Sequence, residues 1–284
     1  MSALRFVPAT TLERAALVKA FNDGYSGYEV PTHLDEPTFA FMVEVCDIDL
    51  RYSAIGYDGD RVAAMAMLAL RGEDSWIGGM GVPPEFRGRG FGADAMRAVM
   101  ANARAAGARR MQLEVLVRNA PAIRIYEALG FRRTRGLVVW RVDPETAATP
   151  AAAPEAADIV PLDHGAALDV IDHWVSDRAP WQRAHESIAH LPQPPSALGS
   201  MRDGSLVGAV VYRAIPERVS FLGLAAREPR RDETLQSLVA AVRARSPGVP
   251  ARFLNLPEGD PAEVVFQRIG AHEEARQVEM RLEL

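Results

Sequence analysis

"VPPEFRGRGFGADAM", residues 82–96, sets two arginines and three glycines into the six positions 87–92, between an apolar run and a stretch patterned as helix. Glycine-rich backbone can turn its amides inward, and the first N–H groups of a helix lack intrahelical partners at the positive end of the dipole. A loop-to-helix junction of this kind holds an anion, phosphate first among them. It is not a P-loop, since no G-x-x-x-x-G-K-[ST] spacing brings a lysine and a hydroxyl to the phosphates. A dinucleotide-binding loop stays open: Gly88, Gly90 and Ala93 satisfy G-x-G-x-x-A, and Glu114 follows roughly 20 residues on. Against it, the loop comes late in its half of the chain and after a hairpin that a mononucleotide-binding unit does not need.

Working outward, "TLERAALVKAFNDGY" predicts a helix with a threonine cap ahead of Glu13, stopping at Asn22 to Gly24. "RYSAIGYDGDRVAAMAML" predicts two strands turned at Asp58-Gly59, and "SWIGGMGV" a third whose glycines mark a bulge or a close backbone approach. From Phe91, the residues Ala95, Val99, Met100 and Ala103 keep one apolar face, with Asp94, Arg97 and Arg104 opposite, until Gly107. "RRMQLEVLV" reads as a buried strand, "APAIRIYEAL" as a short helix closed by Gly130, and "GLVVWRV" as a last strand.

The remaining sequence sets the organisation. Residues 143–158, "DPETAATPAAAPEAAD", have no apolar face and predict a linker between domains 1–142 and 159–284. The two parts end alike: residues 121–142 over 261–282 keep Pro121/Pro261, Ala122/Ala262, Gly130/Gly270, Val138/Val278 and Arg141/Arg281, a constant offset of 140. A tandem duplication follows. In the second copy, "LGLAAREPRRDETLQSL" has no glycine after Gly223 and carries Glu228, Asp232 and Glu233, which disfavours an anion there.

The formal net charge of -5, without a dense basic run, predicts no nucleic-acid surface. The longest apolar run, 62–70, is half of a membrane span and reads as a buried strand. With no secretory core at the N-terminus, a cytoplasmic protein without a membrane partner is expected. Cys46, the single cysteine, excludes an intrachain disulfide and a cysteine-cluster metal site, and reads as a buried apolar side chain. His33, His173, His185 and His190 lack metal-ligand spacing, so no metal is expected.

Arg87-Gly88-Arg89-Gly90-Phe91-Gly92 matches [RQ]-x-x-G-x-[GA]. With the upstream "GGMGVPPEF" and the downstream "LEVLVRNAPAIRIYEALGF", it closely resembles the GNAT superfamily of acetyltransferases from about residue 76 to 140. The resemblance implies an α/β (α+β) fold of two tandem GNAT-like domains, each a mixed splayed sheet flanked by helices, the second copy degenerate. It implies acetyl-coenzyme A as donor, with its pyrophosphate on the amides of Arg87, Gly88, Arg89, Gly90, Phe91 and Gly92. Its pantetheine would lie along Met80, Gly81 and Val82, with Asn119 contacting the arm. Tyr126 matches the family tyrosine that protonates the departing thiolate, and Glu114 the glutamate of L-E-V in ribosomal-protein alanine acetyltransferases, a general base.

The chemistry suits these residues. An alkylamine of pKa near 10.4 is neutral only about once in 2,500 molecules at pH 7, so a base helps. A phenol of pKa about 10 is protonated at neutral pH. Strand alternation sets Leu113, Val115 and Val117 on one face and Glu114 on the other, where partial burial would raise its pKa. A water chain is the alternative base, and core packing the alternative role of Tyr126. Residues 25–53 would set acceptor specificity. Their acids Glu29, Asp35, Glu44, Asp47 and Asp49 favour a cationic amine, on a small molecule or a peptide. A homodimer is compatible with this reading. A non-catalytic acyl-coenzyme A sensor and a dinucleotide-binding oxidoreductase are its rivals.

Overall fold

The computed structural model describes residues 4–28, 33–144, 158–175 and 177–284. Glu29 and residues 145–157 of the linker expected at 143–158 lie outside the described residues. The chain forms two compact units, residues 1–135 with 277–284, and residues 136–276.

The first unit runs β1 (Arg5–Pro8), α1 (Arg14–Gly24), α2 (Glu36–Val45), β2 (Ala54–Asp58), β3 (Arg61–Arg71), β4 (Asp74–Gly81), α3 (Phe91–Ala105), β5 (Arg110–Leu116), α4 (Ala120–Ala128) and the start of β6 (Arg132–Val142). The second continues with β7 (Asp158–Leu162), α5 (His164–Trp174), α6 (His185–Ala189), β8 (Ser196–Arg202), β9 (Ser205–Ile215), β10 (Arg218–Ala226), α7 (Arg231–Arg245), β11 (Ala251–Pro257), α8 (Ala262–Arg268) and the start of β12 (His272–Glu283). Strand order is β1-β2-β3-β4-β5-β12 in the first unit and β6-β11-β10-β9-β8-β7 in the second. The mixed sheet flanked by helices is the expected fold class.

The units do not follow the expected division into 1–142 and 159–284. β12 pairs antiparallel with β5 from Gln277↔Leu116 to Glu283↔Arg110, and β6 pairs antiparallel with β11 from Ala251↔Val142 to Pro257↔Leu137. Since β6 and β12 are counterparts in the repeat, each unit is closed by the last strand of the other half of the sequence. Within the first unit β12 is anchored by Glu279. Its fully buried carboxylate accepts from Arg135 at 2.8 Å and Thr134 at 2.8 Å and pairs with Arg281 at 2.9 Å. Val278 and Met280 join the same apolar core.

Local chemistry explains the elements around the cleft. β3 packs against α1 and α3, so its apolar run is buried throughout from Ala63 to Ala69. Gly59 takes φ +61 in the β2–β3 turn, and Gly78 is the extra residue of a bulge where Met67 faces Gly79 and Leu68 faces Ile77. The apolar face of α3, from Phe91 to Ala103, packs on β2, β3 and β4. The expected threonine cap of α1 is not made. Glu13 is the N-cap and makes no side-chain bond, while the Thr11 hydroxyl donates to the Pro8 carbonyl one turn earlier.

Candidate active site

The parallel pairing of β4 with β5 covers only Asp74↔Arg110, Ser75↔Met111 and Trp76↔Gln112. Beyond Trp76 the strands part, and the β4 edge from Ile77 to Gly81 has no β5 partner. A ladder interrupted in this way leaves backbone groups that an extended ligand can pair with as a further strand. A cleft of about 670 Å³ lies at this opening, walled by Met80, Gly81 and Val82 on one side, Leu116, Arg118 and Asn119 on the other, and the glycine loop beyond.

The loop carries its glycines where they are needed. Gly88 has φ +76 and Gly90 φ +84, and Gly90 is the N-cap of α3. Both line the cleft with Phe91 and Gly92, so the junction presents amide backbone rather than side chains. The arginines do not reach inward. Arg87 donates from Nε to the Val82 carbonyl at 3.0 Å and from Nη2 to the carbonyls of Gly24 and Ser26, tying the end of α1 to the loop. Arg89 pairs with Asp58 at 2.8 Å and lies over the Phe91 ring at 4.5 Å. Of the two, Arg87 is part of the cleft wall.

Asn119 serves two surfaces. Its Oδ1 accepts from the Ala122 amide at 3.2 Å as the N-cap of α4, and its Nδ2 lies 3.5 Å from the Tyr28 hydroxyl at the cleft wall. Tyr126, two turns into α4, is 6% exposed and packs against Phe131 at 5.9 Å. Ala122 and Ile125 of the same helix line the cleft. Burial, then the nearby phenols of Tyr25 and Tyr28, hold its pKa above the ordinary tyrosine value, so the hydroxyl keeps its proton.

Glu114 lies on the face of β5 opposite the buried Met111, Leu113 and Val115, as alternation predicts. Val117 does not extend that face: it lies past the end of β5 and is 42% exposed. Glu114 Oε2 accepts from Trp76 Nε1 at 2.7 Å, which fixes the carboxylate beside the last paired residue of β4. It stands off the cleft wall.

Two residues the sequence reading passed over are part of that wall. Tyr25 and Tyr28 follow the end of α1, with ring centroids 5.2 Å apart and edge to face. Burial, followed by the Tyr28 phenol, raises the Tyr25 pKa above the ordinary value. Their only signal in sequence is a Y-x-x-Y spacing after a glycine, which core packing explains equally well.

The acidic segment is largely engaged in its own folding. Asp35 caps α2 by accepting from the Thr38 amide at 2.8 Å, Asp47 pairs with Arg71 at 2.6 Å, and Asp49 with Arg51 at 2.6 Å. Glu44 is exposed. Cys46 is buried, and desolvation pushes its thiol pKa up to about 12. Among the described residues, no group of three or more His, Cys, Asp or Glu side chains could hold a metal ion, and no helix is long and apolar enough to cross a membrane.

Comparison with known proteins agrees with this geometry. The acetyltransferase (GNAT) family model matches residues 14–131. This part of the chain is similar to the GNAT acetyltransferase family, whose members catalyse acyl transfer and use acetyl-coenzyme A as donor. The dinucleotide-binding reading fits this topology less well, since β4, the strand before the loop, ends an antiparallel series from β1 to β4 instead of opening the domain.

Solved structures extend the likeness over both units. A GCN5-related N-acetyltransferase from Sphaerobacter thermophilus is 18% identical, covers 99% of this chain and 95% of its own, and superimposes with a TM-score of 0.72. A tandem GNAT protein from the clavulanic acid biosynthesis pathway is 18% identical over 99% and 98% of the two chains, with a TM-score of 0.67. A GCN5-related N-acetyltransferase from Anabaena variabilis is 12% identical over 99% and 73%, with a TM-score of 0.59. At these identities the likeness is one of fold. Among curated proteins none matches the sequence.

Proposed function

We propose that this protein transfers an acetyl group from acetyl-coenzyme A to a primary amine, by direct attack in a ternary complex within the first unit. The observation that carries the reading is the parting of β4 from β5 beside a glycine loop that opens α3. Met80, Gly81 and Val82 would pair with the pantetheine arm, the amides of residues 87–92 would take the pyrophosphate, and Asn119 would hold the arm from the opposite wall. A β4 amide would also donate to the thioester oxygen as negative charge develops there.

The amine nitrogen forms a bond to the thioester carbonyl carbon and the C–S bond breaks. The departing sulfur takes a proton from Tyr126, and the proton lost by the amine passes to Glu114, directly or through water. Burial of Tyr126 favours its acid form, and the Trp76 hydrogen bond gives Glu114 one orientation. The acceptor, a small molecule or a peptide, approaches from the Glu114 face of β5. The second half of the chain is a silent copy.

Calorimetric titration with acetyl-coenzyme A, run beside NADH, tests this directly. One binding event per chain and no NADH heat are expected, and absence of coenzyme binding overturns the reading. A panel of polyamine, aminoglycoside, amino acid and peptide acceptors, followed by thiol release, then identifies the amine. Tyr126→Phe lowers turnover by about a hundredfold with little change in coenzyme affinity, and equal turnover removes Tyr126 from the mechanism. Because Tyr126 and Glu114 stand off the cleft wall, coenzyme binding without turnover on any amine identifies a non-catalytic acyl-coenzyme A sensor instead.

A further inference from the structure

We propose that Tyr25, backed by Phe21, closes the acyl end of the cleft and restricts the donor to a two-carbon acyl group. The inference rests on acetyl-coenzyme A being the donor. Tyr25 is held in place from several sides. At its N-terminal neighbour, a Cβ on Gly24 would lie 2.9 Å from Gly81 Cα, backbone against backbone, so the end of α1 is fixed on the end of β4.

The Tyr25 ring stacks on Phe21 with centroids 4.6 Å apart and planes 17° apart, while Tyr28 meets it edge-on. Phe21 is only 3% exposed and packs edge-on against Phe39 at 6.2 Å. The Tyr25 hydroxyl lies 3.2 Å from where a Cβ on Gly79 would stand, and the Met80 amide donates to its oxygen. Swinging the ring off the strand breaks that hydrogen bond and both aromatic contacts.

This position coincides with the reacting end of the donor. A coenzyme with its diphosphate on residues 87–92 and its arm followed back along β4 from Val82 brings its acyl group to Met80 and Gly79. Those are the residues Tyr25 and Phe21 cover. Phe21 lies in the last turn of α1 and Tyr25 at its C-cap, four residues on, and their rings stack. A methyl group would end where the rings begin, and each added methylene would have to displace a ring that stacks on Phe21 and meets Tyr28 edge to face. In an apolar pocket, one methylene changes affinity by roughly 10- to 200-fold.

The test needs no acceptor. Dissociation constants for coenzyme A, acetyl-coenzyme A and butyryl-coenzyme A are measured by calorimetry on the wild-type chain and on Tyr25→Ala and Tyr25→Phe. The wild type is expected to bind butyryl-coenzyme A at least about tenfold more weakly than acetyl-coenzyme A. Tyr25→Ala brings the two near equality, and Tyr25→Phe, which keeps the ring, preserves the wild-type ratio. Equal wild-type affinities, or a wild-type ratio retained in a Tyr25→Ala chain that still binds coenzyme A, overturn the gate alone. Failure of the wild type to bind coenzyme A itself overturns the donor assignment and the gate with it. Should Tyr25→Ala unfold, Tyr25→Leu takes its place, and the wild-type ratio decides in either case.

Discussion

Both units contain the same parting of parallel strands, and they fill it differently. In the first, β4 leaves β5 after Trp76↔Gln112, with a bulge at Gly78. In the second, β10 leaves β11 after Phe221↔Phe253, with the register shift at Leu222. The first gap opens into the cleft. The second holds a smaller cavity of about 310 Å³, lined in part by Arg183, which is 7% exposed and donates to the carbonyls of Leu254 at 2.7 Å, Leu222 at 2.9 Å and Asn255 at 3.0 Å, with its guanidinium 4.7 Å over the Phe253 ring. A side chain thus satisfies the strand carbonyls that a parted ladder leaves without partners.

The loops differ in step with the gaps. β3 and β9 stand 144 apart in numbering, Arg61–Arg71 against Ser205–Ile215, whereas α3 and α7 stand 140 apart, Phe91–Ala105 against Arg231–Arg245. The second copy is therefore four residues shorter between its bulge and its helix, which is where the first carries its glycines. The two units thus share a fold and differ in the loop before the helix and in what lines the gap.

The largest expected effect comes from Arg183→Ala. It leaves three backbone acceptors without their charged donor in a buried gap, and unfolding by urea should show a loss of roughly 3 kcal/mol or more. The folded fraction should still bind one acetyl-coenzyme A, because the shortened loop stays as it was. A second binding event would break the comparison, by showing that Arg183 alone keeps a coenzyme out of the second gap.

The next effect is smaller and has two opposite halves. Gly90, φ +84, and Arg230, φ +66, are counterparts at the N-caps of α3 and α7, and both are left-handed. An L side chain in this conformation is disfavoured by about 1–2 kcal/mol. Gly90→Ala should lower stability by about 1 kcal/mol and weaken acetyl-coenzyme A binding about tenfold as the loop amides turn. Arg230→Gly should stabilise by up to about 1 kcal/mol, partly offset by the greater freedom of glycine in the unfolded chain. Denaturation midpoints of the two variants moving the same way would show that the caps are not equivalent.

How much of this was legible depends on whether a residue's role is local. The turn at Gly59, the bulge at Gly78 and the glycines of 88–92 act through their own backbone, and the sequence displays them. The destination of β6 and β12 is not local. Both strands carry one matching apolar face, Val138, Trp140 and Val142 against Val278, Met280 and Leu282, so nothing in that face of "GLVVWRV" says that it closes the second unit rather than the first. Arg183 sits in "PWQRAHES" without a motif, and its role depends on carbonyls about 40 and 70 residues away. Tyr126 matches a family position, yet only the structure shows that its neighbours Ala122 and Ile125 line the cleft.

The smallest effect at neutral pH grows in alkali, and it separates the two units through one pair of counterparts. Tyr126 in the first corresponds to Phe266 in the second, and both are buried, but only the phenol ionises. Tyr25 and Tyr126 have pKa values raised by burial in the folded chain, while an unfolded tyrosine ionises near pH 10. A raised folded pKa gives a contribution to stability that is complete below the unfolded value and is lost as pH climbs through the folded one. The urea midpoint should therefore fall above about pH 10 as the unfolded phenols lose their protons. Tyr126→Phe should flatten that fall, because phenylalanine has no proton to lose, as Phe266 already shows in the second unit. An unchanged slope would mean that the Tyr126 hydroxyl reaches water in the folded chain.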